Sequence, residues 1–102
     1  MSDTERAKSF KEQGNQYFKN KDYSKAIEYY TKAIDLNPMD PAYYGNRAAC
    51  YFAMHNYQKC IDDSNDAINI DANFVKGWSR KGRSLFYLAK FNVSLFSNNF
   101  YP

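Results

Sequence analysis

Apolar residues along this chain recur at spacings of three and four, and no stretch alternates in the manner of a strand. Short polar punctuation interrupts the pattern, and each interruption carries a helix-start signal. Ser2 followed by Glu5 fits a capping box and predicts a first helix over about 4–19. Asp22 can cap a second, about 23–36, which Asn37-Pro38 ends. Asp40-Pro41 is a cap followed by proline at the first helical position, opening a third helix over about 41–54. Asn56 predicts a fourth over about 57–70, and Asn73 a fifth over about 74–89. Connections of about two to four residues make neighbouring helices antiparallel.

The pattern aligns with itself at an offset of 34 residues. Ala7, Pro41 and Val75 become equivalent, as do Gly14, Ala48 and Gly82; Tyr23, Tyr57 and Phe91; and Ile27, Ile61 and Leu95. Small residues at Gly14, Ala26, Ala48, Cys60 and Gly82 let paired helices approach, and Tyr17, Tyr30 and Tyr51 fill the gaps between them. The first copy reads Phe10-x-x-Gln13-Gly14-x-x-Tyr17, then Ala26-x-x-x-Tyr30, then Ala33 and Pro38. This resembles the tetratricopeptide repeat over about residues 5–91. The resemblance implies an all-α helical solenoid with two complete helix-turn-helix repeats and a truncated third. Residues 1–91 form the domain, with repeats of about 7–40, 41–74 and 75–91.

The third copy departs from the pattern. It keeps register to Phe91, but Ser97-Asn98-Asn99-Phe100-Tyr101-Pro102 has poor helix propensity. A short irregular or stub-helical tail is expected over 92–102. The fifth helix then carries uncovered apolar surface, which invites self-association.

Composition narrows the class. One small domain fits in 102 residues, 44% of them hydrophobic and 25% charged. A net charge of +3 favours acidic partners but is too weak to imply nucleic acid. No apolar run could serve as a signal peptide or span a membrane, so a cytoplasmic, reducing compartment is expected. Cys50 has no base or metal partner in view, and Cys60, at the position of Ala26, reads as a small buried hydrophobe. The sequon Asn92-Val93-Ser94 reads as chance.

The resemblance also assigns a surface. It implies that the first helix of each repeat lines a concave groove. There the three copies present Lys8, Lys11, Glu12, Asn15, Phe18 and Lys19; Ala42, Gly45, Asn46, Ala49, Phe52 and Ala53; and Lys76, Ser79, Arg80, Arg83, Phe86 and Tyr87. Six are cations and one is a carboxylate. Lys11, Asn15, Asn46, Lys76 and Arg80 match the two-carboxylate clamp of chaperone-binding domains of this family. In that family the clamp holds the C-terminal Glu-Glu-Val-Asp of heat-shock chaperones of the 70 and 90 kDa classes. A C-terminal aspartate offers two carboxylates, and asparagines donate to them without adding cation–cation repulsion. The family's small pocket for the penultimate valine falls on Phe18 and Ala49, with Lys8 and Arg83 as further groove residues.

Other readings rank lower. Phe18, Phe52 and Phe86 at equivalent positions read as partial core. Asp62, Asp63 and Asp66 lack the loop glycine and spacing of a metal site and read as a solvated helix face. His55 has no catalytic partner in sequence. With no nucleophile–base pair, metal cluster or phosphate loop, the expected function is non-enzymatic peptide binding without cofactor or metal. A structural scaffold, or an incomplete fragment of such a repeat domain with an impaired groove, is the alternative. Nucleic acid ranks below both, because the cations cluster for one ligand terminus instead of tracking a backbone.

Overall fold

Ser2, Asp22, Asp40 and Asn56 each cap a helix. Their side chains accept from the backbone N–H of Glu5 (3.2 Å), Lys25 (3.2 Å), Ala42 (3.0 Å) and Lys59 (3.3 Å). The helices that follow are α1 (Asp3–Lys19), α2 (Tyr23–Leu36), α3 (Pro41–Ala53) and α4 (Tyr57–Ile70), and α5 covers Val75–Phe100. The computed structural model describes the backbone of residues 1–100 and the side chains of residues 1–92. Asn73 does not take the capping role expected of it. Phe74 immediately precedes α5, and the turn is held by Asp71, whose carboxylate accepts from the Asn73 N–H at 3.0 Å.

The helices stack in chain order as antiparallel pairs, α1 on α2 and α3 on α4, with α2 packed on α3 and α5 on both α4 and α3. Small residues set the spacing. Ala7, Ala26, Ala33, Ala48, Cys60 and Ala67 have no solvent exposure. Tyr17 stacks on Tyr29 at 5.3 Å, and Phe10 sits 6.1 Å from the same ring. Both cysteines are buried and unpaired, and burial pushes the Cys50 thiol up to about 12, so it stays protonated at neutral pH.

The first two repeats turn between their helices by the same device. The N–H of Asp22 bonds Tyr17 O and that of Lys21 bonds Phe18 O; Asn56 and His55 repeat this with Tyr51 O and Phe52 O. These are Schellman turns, and they hold Lys21 and His55 at left-handed φ values of 61° and 62°. His55 is a turn residue whose Nδ1 meets the Tyr57 hydroxyl at 2.8 Å.

The equivalent positions in the third copy are Ala89 and Lys90. Alanine is the best helix former and avoids the left-handed region. A lysine side chain has no acceptor with which to cap a new helix. The turn is not made, and α5 continues through Phe100 instead of ending near residue 89. The side chains of the expected 92–102 tail lie outside the described residues, apart from Asn92.

This changes the reading of Gly82. At Gly14 an added Cβ would lie 2.6 Å from the Tyr30 ring, so the close approach of α2 depends on glycine. At Gly82 an added Cβ would meet nothing within 4 Å among the described residues. Gly14→Ala is therefore expected to destabilise the domain by about 1–3 kcal/mol through overpacking. Gly82→Ala is expected to stabilise it by about 0.5–1 kcal/mol through helix propensity. Parallel urea melts check the opposite signs.

The acidic helix face also divides. Asp62 and Asp66 are exposed, whereas Asp63 is 4% exposed and paired. Arg47 Nε and Nη2 donate to its two carboxylate oxygens, each at 2.8 Å, and Arg47 Nη1 donates to Thr31 Oγ1 at 3.1 Å. The bidentate bond holds the Arg47 pKa above its ordinary value. One guanidinium thus ties α2, α3 and α4 together.

Candidate functional site

Three helices bring their polar residues to one place. On α1, Lys11, Asn15 and Phe18 follow at four and three residues and share a face. On α3, Asn46 and Ala49 do the same, and on α5, Lys76 and Arg80. Asn15, Phe18, Asn46, Ala49 and Arg80 line a single pocket of about 110 Å³. Lys11 and Lys76 do not line it. Each lies one helical turn N-terminal to a lining residue, Lys11 half-buried beside Asn15 and Lys76 exposed beside Arg80. Lys8 is exposed, nearly a further turn out on α1. Arg83 also stands outside the pocket, its guanidinium 4.9 Å from the centre of the Phe52 ring.

The sixth lining residue is Tyr30 of α2, which the sequence suggested only as a space filler. It is 2% exposed, and burial pushes its pKa up to about 12, so the phenol remains a neutral donor. Its hydroxyl donates to Asn15 Oδ1. With the amide oxygen engaged, the Asn15 NH₂ group is left as a donor. A signal was present: the repeat pattern has phenylalanine where this chain has Tyr30, and a buried hydroxyl requires a partner. Tyr30→Phe is expected to weaken ligand binding at this pocket by about 3–10-fold, from the loss of roughly one neutral hydrogen bond's orientation. Titration of the variant beside the parent checks this.

Arg80 is the chemical centre. Its Nη1 is buried and has no hydrogen-bond partner. Burial pushes its pKa down and neighbouring Arg83 adds to the effect, yet a guanidinium stays charged at neutral pH. Among the described residues, none of Lys8, Lys11, Lys76, Arg80 or Arg83 forms an ion pair with a carboxylate. Gly45 leaves room for the Phe74 ring just before α5. An added Cβ there would lie 2.7 Å from the Phe74 ring and 3.7 Å from Arg80 Nη1. A buried cation with an unmade hydrogen bond, flanked by two carboxamides, can accept an anion with several acceptor oxygens.

The three equivalent phenylalanines are not one class. Phe18 packs edge-on to Tyr23 at 5.4 Å, and Phe52 meets Tyr57 at 5.5 Å and Tyr87 at 5.8 Å, both edge-on, where those two rings stack on each other at 5.2 Å. Phe86, expected as partial core, is exposed, and among the described residues its ring meets Tyr87 at 5.5 Å. Among the described residues, no group of three or more His, Cys, Asp or Glu could hold a metal ion. No helix of the described residues is long and apolar enough to cross a membrane.

Comparison with known proteins agrees with this architecture. The tetratricopeptide repeat profile matches residues 7–40. Mouse (Mus musculus) DnaJ homolog subfamily C member 7 is 46% identical over 77 residues, which is 76% of this chain and 16% of that protein. The chain therefore spans about a sixth of that relative's length. The first TPR of Spaghetti (RPAP3), solved bound to the HSP90 peptide SRMEEVD, superposes with a TM-score of 0.84 at 36% identity, covering 89% of this chain and 72% of that one. The second TPR domain of human RPAP3, solved with the HSP70 peptide SGPTIEEVD, gives 0.83 at 32% identity, covering 89% and 76%. Repeat register, helix pairing and these likenesses agree, and the chain belongs to the tetratricopeptide repeat family.

Proposed function

We propose that this domain is a co-chaperone-type binding module. It docks the C-terminal Glu-Glu-Val-Asp of cytosolic heat-shock chaperones of the 70 and 90 kDa classes. Lys11, Asn15 and Asn46 surround one carboxylate of the terminal aspartate. Lys76 and Arg80 hold the other carboxylate and nearby peptide carbonyls. Phe18 and Ala49 receive the penultimate valine, and Lys8 and Arg83 attract the upstream glutamates.

The observation that carries this reading is the unpartnered Arg80 Nη1 in a pocket shared with Asn15 and Asn46. Two structural relatives solved with peptides ending in EEVD support the choice of ligand. The chemistry is binding alone, so the domain is read as an adaptor without catalysis. Charge-assisted hydrogen bonds contribute about 1.5–3 kcal/mol each, and ordering a flexible peptide offsets part of the sum. A micromolar dissociation constant, roughly 8 kcal/mol, is expected.

Calorimetric titration with an acetylated peptide ending Met-Glu-Glu-Val-Asp tests it. Lys76→Ala and Asn46→Ala are each expected to weaken binding by about 10–100-fold. Unchanged affinity in both variants would refute the clamp assignment.

A further inference from the structure

The pocket is far smaller than a peptide. Its volume of about 110 Å³ compares with roughly 150 Å³ for a cavity that encloses benzene. It has room for the end of one residue, and its donors gather on the same scale. Asn15, Asn46 and Arg80 line it, and Lys11 and Lys76 each stand about one helical turn away. The buried Arg80 Nη1 has no partner, and among the described residues no carboxylate pairs with Lys11, Lys76 or Arg80.

Chemistry narrows what such a site takes. A C-terminal aspartate carries carboxylates on adjacent carbons, which is the skeleton of succinate with an amide nitrogen on one of them. A free four-carbon diacid therefore offers both acceptor groups of that terminus and none of the peptide behind it. One carboxylate meets Lys11, Asn15 and Asn46, and the other meets Lys76 and Arg80, through charge-assisted bonds. The Tyr30 hydroxyl engages Asn15 Oδ1, so the Asn15 NH₂ is a donor to the acid with no peptide present. The same charges set a limit. Free aspartate would bring its ammonium group among Lys11, Lys76 and Arg80, where like charges repel.

We propose that this pocket also binds free four-carbon dicarboxylates that lack an ammonium group, a ligand class that rests on the clamp of the proposed function and extends it to small molecules. With such an acid in place, the pocket is closed to a peptide C-terminus. The concentration of the free acid then sets the apparent affinity for the peptide. So few atoms make a weak ligand, and a Kd of about 1–10 mM is expected for succinate. At about 20 mM acid, that constant weakens the apparent peptide affinity by about 3–20-fold.

Succinate is the probe. Butyrate, in which a methyl group replaces one carboxylate, is its control at matched ionic strength. Proton–nitrogen correlation spectra of the labelled 102-residue chain are followed with each acid. The peptide ending Met-Glu-Glu-Val-Asp is titrated by calorimetry with and without succinate. Succinate is expected to move the side-chain amide signals of Asn15 and Asn46 to saturation and to weaken peptide binding by about 3–20-fold. Butyrate and free aspartate should bind at least about 5-fold more weakly. Asn46→Ala and Arg80→Met, folded by circular dichroism, should lose the succinate response at Asn15, and Asn46→Ala alone decides if Arg80→Met does not fold. Peptide binding that succinate leaves unchanged, or equal responses to succinate and butyrate, would overturn this proposal and leave the peptide clamp in place. A saturating succinate response without peptide binding would uphold it and overturn the peptide reading. Silence to both ligands would overturn both.

Discussion

Replacing Asp63 by alanine is expected to destabilise the domain by about 3–5 kcal/mol, the usual cost of leaving a buried charge without its partner. For a domain of this size that corresponds to a fall in Tm on the order of 15–30 °C. Arg47 cannot shed its charge, and its Nε and Nη2 would be left in a site where the side chain is 19% exposed. The loss would reach three helices, because the same guanidinium donates to Thr31, whose own hydroxyl donates to Ile27 O at 2.7 Å. The paired replacement Arg47→Met with Asp63→Leu removes both charges and is expected to recover most of the stability. Thermal melts of the three proteins check this. A fall of less than about 5 °C for Asp63→Ala would mean that water replaces the carboxylate and that the pair is not a structural tie.

Arg80→Met is expected to separate stability from binding. In the unliganded domain the Arg80 guanidinium is desolvated and has an unmade hydrogen bond, so removing it should leave stability unchanged or raise it by about 1 kcal/mol. Peptide binding should fall by at least about 100-fold, because two charge-assisted bonds of about 1.5–3 kcal/mol each are lost. The same substitution thus gives a folded domain with an empty groove. Melting curves beside calorimetry check both halves. A variant that unfolds would show instead that the Arg80 side chain is a packing residue where α5 meets α3.

The helices were readable where punctuation and periodicity agreed. Ser2, Asp22, Asp40 and Asn56 are short acceptor side chains just before apolar stripes, and each caps the expected helix. The end of α5 was not readable from apolar register, because that register continues through Phe91 and Leu95 without a break. The informative change is a loss of punctuation, with Ala89 where a left-handed residue stands and Lys90 where a cap stands. In the site, the residue types at Asn15, Asn46 and Arg80 were legible, because helical spacing and the repeat offset place them on one surface. The depth of Arg80 was not, since it depends on how α5 packs on α3 and α4. Asp63 looked like one of three surface acids. Its position corresponds to half-buried Tyr29 in the first copy, and Arg47 stands where exposed Gln13 does, so the first copy gives no sign of a buried ion pair there.

The central claim is that the pocket recognises a free C-terminal carboxylate, and one comparison tests it most directly. An acetylated peptide ending Met-Glu-Glu-Val-Asp is titrated by calorimetry beside the same peptide amidated at its C-terminus. The account predicts micromolar binding of the acid and a loss of at least about 10-fold for the amide, since one charged acceptor group is removed while every side chain is kept. Equal affinity for the two peptides would contradict it, and would leave a basic surface that attracts acidic chains without a carboxylate clamp.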